Sequence, residues 1–375
     1  MRIFIATGIF HPEPGGPATY LYRLLPELVA RGHEVRVLTF GEESEGDPPD
    51  RPYPYPVTRI SRRAPAPVRY ARYARAARAL EAWAEVTYAH SLFLPLAGSR
   101  PRAVKVVGDP AWERSVSRGW VSAREDIDAF QGRRYGPLVD ALKWLRASHA
   151  RRAARLVVPS QYLARMVHGW GAPADRVRVI YNALTPPPAL PDPAAARAQL
   201  GLPGGPLLLT AARLTAWKGV DMLIEAANAL EGARLIVAGD GPELPALRAI
   251  AGQCTTFLGN VPRERLALYM RAADYVVLYS GYEGLSHTLL EALQIGTPVI
   301  ASDKGGNPEV VQHEVNGLLV PWRDPPALAA TLRRALNEPG LRARLAAQAI
   351  VGLERFSWER LVEQTLAVLD ETARR

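Results

Sequence analysis

The stretch MRIFIATGIFHPEPGGPATYLYRLLPELVARGHEVRVLTF, residues 1–40, contains the pattern that decides the fold. An apolar run at 3–5 leads into a loop rich in glycine and proline, and leucines at helical spacing follow it. The helical pattern ends at Gly32, and a second apolar run occupies 34–39. Strand, helix and strand in this order predict a β-α-β unit, and therefore a parallel sheet with a right-handed crossover.

The loop inside this unit, HPEPGGPATY, places Gly15 and Gly16 between prolines immediately before the predicted helix. Proline fixes its own backbone angle, whereas glycine adopts angles that other residues avoid and carries no side chain. A stiff, bare loop at the start of a helix indicates that a ligand approaches the backbone there. The alternative is a plain turn.

Further apolar runs at 86–89, 103–107 and 156–159 predict more strands of the same sheet. The segment TPPPALPDP, residues 185–193, has too many prolines for a helix or a central strand, so it predicts a linker. Strand and helix patterns alternate again after it. Because 375 residues exceed what one hydrophobic core serves, we predict an α/β protein with two Rossmann-like, doubly wound parallel-sheet domains facing a central cleft.

Composition narrows the class of protein. The only cysteine is Cys254, and no apolar run approaches 18 residues, so we expect a cytoplasmic protein without a disulfide or a structural zinc site. The net charge of +9 divides into +11 for residues 1–190 and −2 for 191–375. The Arg-rich stretch 62–80 predicts a solvated basic helix in preference to a nucleic-acid-binding arm.

The strongest chemical signal is GYEGLSHTLLEALQIGTPVIAS, residues 281–302. Glu283 follows a predicted strand, and Glu291 lies eight positions later, two turns along a predicted helix. Carboxylates suit sugar hydroxyls, and the free amides at a helix N-terminus suit phosphate. Upstream, RLTAWKG supplies Arg213 and Lys218, two cations that could neutralise a diphosphate.

Four motifs in this order resemble the retaining glycosyltransferase family 4, which has the GT-B fold. They are the PxxGG loop, the Arg213 and Lys218 pair, the Glu-x7-Glu spacing and the turn GGNPE at 305–309. The resemblance extends over essentially the full chain. It implies an acceptor-binding domain at 1–185, a domain that binds the nucleotide sugar at 186–356, and a last helix at 357–375 that packs back on the first domain.

The resemblance also implies a role for each matching residue. Glu283 would contact the donor sugar, Glu291 would bind the ribose hydroxyls, and Arg213 with Lys218 would clamp the diphosphate. The amino-terminal loop would reach the donor phosphate. The remaining donor-binding positions are Gly15, Gly16, Gly284, Leu285 and Ser286.

The chain departs from the family after the strand at 103–107, where Asp109 replaces a histidine that many members place in the cleft. We predict that Asp109 is catalytic there, with a helix cap toward Trp112 as the alternative. His90 and His287 are further candidates for lining the cleft. Asp126 and Asp128 resemble a metal-binding pair but have no strand before them, so we predict a helix surface and no metal.

The predicted activity is hexosyl transfer, with retention, from a nucleotide diphosphate sugar to a sugar, a lipid-linked or a small-molecule acceptor. No cofactor is expected. The basic first half suggests peripheral contact with an anionic membrane, and no nucleic-acid partner is expected. A sugar-nucleotide epimerase of the same fold and a non-enzymatic basic binding module remain alternatives.

Overall fold

A computed structural model describes residues 1–13, 15–42, 53–98 and 100–375. Strands and helices alternate in both halves of the chain. Those of the first half are β1 (Arg2–Ala6), α1 (Gly16–Ala30), β2 (Glu34–Phe40), β3 (Val57–Ile60), α2 (Ala66–Trp83), β4 (Val86–Ala89), β5 (Arg102–Lys105), α3 (Pro110–Ser117), α4 (Ile127–Gly132), α5 (Pro137–Arg152), β6 (Arg155–Val158), α6 (Gln161–Gly169) and β7 (Val177–Val179).

The second half begins after an extended segment that contains the predicted linker. Its elements are α7 (Pro193–Gln199), β8 (Leu207–Ala211), α8 (Val220–Asn228), β9 (Arg234–Ala238), α9 (Leu244–Ile250), β10 (Thr255–Gly259), α10 (Arg263–Ala272), β11 (Tyr275–Leu278), α11 (His287–Gln294), β12 (Val299–Ser302), β13 (Gly317–Val320), α12 (Pro325–Asn337), α13 (Leu341–Ala347) and α14 (Trp358–Ala373).

The strands form two sheets in which every pairing is parallel. The first sheet has seven strands in the order β3-β2-β1-β4-β5-β6-β7, and the second has six in the order β10-β9-β8-β11-β12-β13. Each order reverses direction once, between β1 and β4 and between β8 and β11. The prediction of two doubly wound parallel α/β sheets is therefore confirmed.

Burial explains why the central strands were recognisable in the sequence. Helices cover both faces of a parallel sheet, so its inner strands read as continuous apolar runs. All four residues of β4, β6, β11 and β12 are buried. The edge strands β3 and β7 are half-buried, and the sequence analysis did not predict them.

The last helix, α14, packs against the first sheet. Its buried Leu361, Val362, Val368 and Leu369 share a hydrophobic core with β1, β4 and α1. On the opposite face of this sheet, α2 buries Tyr73 and exposes Arg72, Arg75 and Arg78. In the part of the chain that the structure describes, no helix is long and apolar enough to cross a membrane.

Candidate functional site

The two points where the strand order reverses carry most of the predicted site residues. In open parallel sheets, ligands bind at the carboxyl ends of the strands that flank such a point. In the first sheet, the loop after β1 carries Gly15, and His90 follows β4. In the second sheet, Lys218 lies in the loop after β8, and Glu283 lies in the loop after β11.

Lys218 and Glu283 form an ion pair, with Nζ 2.5 Å from Oε1. Both side chains are largely buried, at 17% and 14% exposure. The loop holding Glu283 packs against the GGNPE turn. A Cβ at Gly305 would lie 2.4 Å from the Glu283 carbonyl oxygen, and one at Gly306 would lie 2.4 Å from the Gly284 carbonyl oxygen. Because these two glycines have no side chains, the turn packs directly against the backbone of Glu283 and Gly284.

A pocket of about 390 Å³, which we call the central pocket, lies between the two sheets. The N-termini of α1 and α11 both reach it, through Gly16 and His287. Among the residues that the structure describes, no side chain caps the first turn of α1, and a Cβ on Gly16 would meet no atom within 4 Å. Packing against the described residues therefore does not require glycine at this position, and the open space leaves room for a ligand beside the backbone.

Charged and titratable side chains line the central pocket. Glu291 pairs with Arg263 at 3.1 Å, and burial raises the pKa of the Glu291 carboxyl. Burial and the nearby charge of Lys105 lower the pKa of both His90 and His287. Both histidines predicted from the sequence thus border this pocket, where they remain uncharged at neutral pH.

A second pocket, of about 670 Å³, opens at the carboxyl ends of β8 and β9, and we call it the strand-end pocket. Arg213 lines it with an exposed side chain, and Thr288 of α11 lines its other side. Gly239 belongs to AGDGPE, and a Cβ there would lie 1.9 Å from the Ala212 carbonyl oxygen. Close packing of two loops therefore accounts for this glycine without a phosphate.

Asp109 does not face the cleft as predicted. Its side chain is fully buried, and Oδ1 accepts hydrogen bonds from the amides of Ala111 and Trp112 at 2.9 and 3.2 Å. Its Oδ2 forms an ion pair with Arg146 and accepts a hydrogen bond from Gln131 at 2.9 Å. Asp109 is thus the N-cap of α3, which was the alternative interpretation.

Glu113, one turn along α3, is a carboxyl near the donor motif that was not predicted from the sequence. A Cβ on Gly108 would lie 2.2 Å from its Oε1 and 3.0 Å from the Tyr282 hydroxyl. The carboxyl therefore lies near Tyr282 of the donor motif, whose hydroxyl has no hydrogen-bond partner among the described residues. Although Glu113 is exposed over much of its surface, desolvation of its carboxyl group and the nearby charge of Asp109 raise the pKa of that carboxyl above its ordinary value.

Polar contacts hold the two domains together. Both carboxylate oxygens of Glu309 accept hydrogen bonds at 2.8 Å from the first amides of α6, at Gln161 and Tyr162. Lys304 lies 3.9 Å from Asp126 and 3.4 Å from Asp128. The two aspartates therefore lie at the domain interface and not on a simple helix surface. Within the described ranges, no group of three or more His, Cys, Asp or Glu is placed to hold a metal ion.

Comparison with known proteins agrees with this architecture. Residues 15–183 match the family model described as "Glycosyl transferase 4-like domain", and residues 193–351 match "Glycosyl transferases group 1". A D-inositol 3-phosphate glycosyltransferase of Xylanimonas cellulosilytica is 38% identical over 230 residues, which cover 56% of this chain and 55% of that protein. The chain thus matches this curated relative over about half of the relative's length.

Two solved structures share the fold over nearly the whole chain. A sucrose-phosphate synthase from Thermosynechococcus elongatus has a TM-score of 0.76 at 24% identity, with 98% of both chains covered. Anabaena Alr3699/HepE in complex with UDP-glucose has a TM-score of 0.74 at 21% identity, covering 99% of this chain and 100% of that one. With two family models and two sheets in the GT-B arrangement, this chain belongs to the group 1, family 4-like glycosyltransferases.

Proposed function

We propose that the protein is a retaining glycosyltransferase that transfers a hexose from a nucleoside diphosphate sugar to an acceptor bound by the first domain. One observation carries the proposal: helix N-termini from both domains converge on the central pocket. A helix N-terminus attracts anions through its unpaired amides and its dipole. Two such termini, with Lys218 paired to Glu283 in the loop that precedes α11, suit a diphosphate that bridges the domains.

The donor would extend from the strand-end pocket into the central pocket. The base would occupy the strand-end pocket, and the ribose hydroxyls would bind Glu291, which lies one turn beyond Thr288 on α11. Arg213 and Lys218 would neutralise the diphosphate. Glu283 would then be left to contact the sugar. UDP-glucose is the first donor to test, because it is bound in the related Alr3699/HepE structure.

In the chemical step, the acceptor oxygen bonds to the anomeric carbon as the bond to the diphosphate breaks, and the acceptor proton passes to the departing phosphate oxygen. Negative charge accumulates on the leaving diphosphate. Fixed positive groups that face this charge supply what is usually the largest catalytic contribution. In this chain these groups are Arg213, Lys218 and the amides at the starts of α1 and α11.

We propose that the acceptor enters beside Glu113 and Tyr282. Trp112 packs edge-on against Trp217 and Tyr282, with ring centroids 5.1 and 5.6 Å apart, so aromatic surfaces from both domains meet there. Aromatic faces and carboxyl groups are well suited to bind a sugar. The curated relative described above acts on an inositol phosphate according to its name, so a phosphorylated polyol is a suitable first acceptor.

The nucleotide assignment is tested by Glu291→Ala. We expect roughly tenfold or greater loss of affinity for UDP, because charge-assisted hydrogen bonds contribute about 1.5–3 kcal/mol. Folding should be preserved, since Arg263, the partner left behind, is 47% exposed. Isothermal titration calorimetry with UDP, GDP and ADP measures the effect, and Glu264→Ala on α10 is the matched control. Unchanged affinity for the preferred nucleotide would remove Glu291 from the site.

The bare start of α1 gives a second prediction. Gly16→Ala should fold with an unchanged or slightly higher Tm, because the new methyl group meets no protein atom. UDP binding should weaken by roughly tenfold, which corresponds to 1.4 kcal/mol. Gly169→Ala is the control. An added Cβ at Gly169 also has no described atom within 4 Å, but this residue lies at the end of α6, outside the pocket. Normal UDP affinity in Gly16→Ala would mean that no ligand approaches this backbone.

Metal independence is the third prediction. We expect sugar transfer to survive excess EDTA, because Arg213 and Lys218 supply the charge that a divalent cation would otherwise provide. The rate of UDP release before and after chelation measures this. Complete loss of the rate, with recovery in Mg²⁺ or Mn²⁺, would contradict it and would direct attention back to Asp126 and Asp128.

A further inference from the structure

Lys105 is a buried amine that the proposed donor site does not yet use. It is the last residue of β5, and it is 4% exposed. Its Nζ lies 3.7 Å from the centroid of the Tyr20 ring and makes no hydrogen bond to any residue within the described ranges. Lys105 is also one of the residues that line the central pocket, with its amine buried beneath the pocket surface. A buried ammonium group without a hydrogen-bond acceptor is costly, so this arrangement calls for a ligand.

The groups around Lys105 offer it no anion of their own. Helix α1, the residue after β4, and the helices α10 and α11 contribute the other titratable or charged side chains of the pocket: Tyr20, Arg23, His90, Arg263, His287 and Glu291. Glu291 is the one acid among these six, and it is already paired with Arg263. The neighbours of Lys105 are thus predominantly basic, and the pocket has an excess of cationic groups.

Burial lowers the pKa of Lys105 to about 7. The charge of Lys105 in turn helps to lower the pKa of His90 and of His287. With no ligand bound, the amine is therefore largely neutral at pH 8. An anion placed beside it would favour the ammonium form and would raise its pKa.

We propose that Lys105 binds a phosphoryl group held at the N-terminus of α1 and takes up a proton when that group binds. The inference rests on the proposed function in placing a phosphorylated substrate in this pocket. The phosphoryl group belongs either to the donor diphosphate or to a phosphorylated acceptor. Both have the same chemistry, which is two or three oxygens able to accept from the Lys105 ammonium and from the first amides of α1.

Proton uptake tests the proposal directly. We titrate UDP into the protein at pH 8 by calorimetry in HEPES and in Tris, whose ionisation enthalpies differ. The phosphate of UDP is already fully ionised at this pH. The wild-type protein should take up close to one proton at pH 8 and far less at pH 6, where Lys105 is already charged. Lys105→Met should abolish the uptake at pH 8 and weaken UDP binding by roughly tenfold or more.

The variants also separate a binding role from a structural one. Lys105→Met replaces an unpaired buried amine with an apolar side chain of similar length, so its Tm should be equal to or above that of the wild type. Lys143→Met is the matched control, because Lys143 donates to backbone carbonyls at the end of α4, outside the pocket. It should retain the uptake. If Lys105→Met fails to fold, the wild-type protein still tests the proposal, because it should take up far more protons on binding UDP at pH 8 than at pH 6.

Two further titrations identify the source of the phosphate. Uptake with UDP alone assigns the donor diphosphate, and uptake with glucose 6-phosphate on UDP-saturated protein assigns an acceptor phosphate. UDP binding without uptake in either titration overturns the role of Lys105 and leaves the proposed function standing. If UDP, GDP and ADP all fail to bind but inorganic phosphate binds with uptake, the proposed function fails while the Lys105 site is retained.

Discussion

Replacing Lys218 with methionine should lower kcat by roughly 10²- to 10³-fold, the cost of removing one preorganised group that faces developing negative charge. The Lys218 amine lies in the loop after β8, where the strand order of the second sheet reverses, and it is largely buried. Its charge therefore acts in a partly desolvated site, where it is worth more than in water. Because the diphosphate gains charge as it leaves, kcat should fall more than nucleotide affinity.

A second effect of this substitution acts through Glu283. In the ligand-free protein, Lys218 holds the Glu283 carboxylate at 2.5 Å, and its removal leaves that carboxylate without this partner. Lys218→Arg separates the two effects, because arginine keeps the charge and can reach the carboxylate with different geometry. We expect Lys218→Arg to recover part of the rate.

The rate of UDP release from UDP-glucose, with water as the acceptor until the natural one is identified, measures these variants. Lys143→Met, on α5 of the first domain, controls for the loss of a lysine outside the proposed site. A kcat for Lys218→Met close to the wild-type value would show that the diphosphate does not pass this amine. Equal losses in UDP affinity and in kcat/KM would show that Lys218 binds the ground state and the transition state alike.

Much of the architecture could be predicted from short-range patterns in the sequence. The order of strand and helix predicted two parallel sheets because their inner strands are apolar throughout. The edge strands β3 and β7 gave no such signal, because a half-buried segment of three or four residues has too few buried positions to stand out. The Gly15–Gly16 loop and Lys218 were selected because their motifs occur in the family order, and their donor-binding roles stay predictions.

The roles of some residues depend on long-range contacts, which could not be predicted from the sequence. Asp109 was expected in the cleft from its place after a strand, but its ion-pair partner, Arg146, lies 37 positions away in α5. Glu113 could have been found, because Asp-Pro starts a helix and the residue four positions later lies one turn above the cap. Lys105 lies within a strand that was predicted from its apolar pattern, and only the three-dimensional structure shows that its amine makes no hydrogen bond to a described residue.

Asp109→Asn should reduce the free energy of unfolding by about 3–5 kcal/mol, the typical cost of removing one partner of a buried ion pair. The amide can still accept from Ala111 and Trp112, so the helix cap survives. What is lost is the negative charge opposite Arg146, whose side chain is only 5% exposed. The guanidinium also lies 4.3 Å over the Trp170 ring and near Gln131, contacts that do not neutralise it.

Chemical denaturation and kinetics on the same variants distinguish this structural role from a catalytic one. Arg146→Met should also destabilise the protein, but the double variant should lose less than the sum of the two single changes, because neither charge is then left alone. Asp140→Asn near the start of α5 is the control, because Asp140 is half-buried and accepts a 3.3 Å hydrogen bond from the Tyr135 amide that asparagine can also accept. If Asp109→Asn lowers kcat tenfold or more while its stability stays at the wild-type value, the carboxylate acts in the reaction and the search for a cleft acid need not move to Glu113.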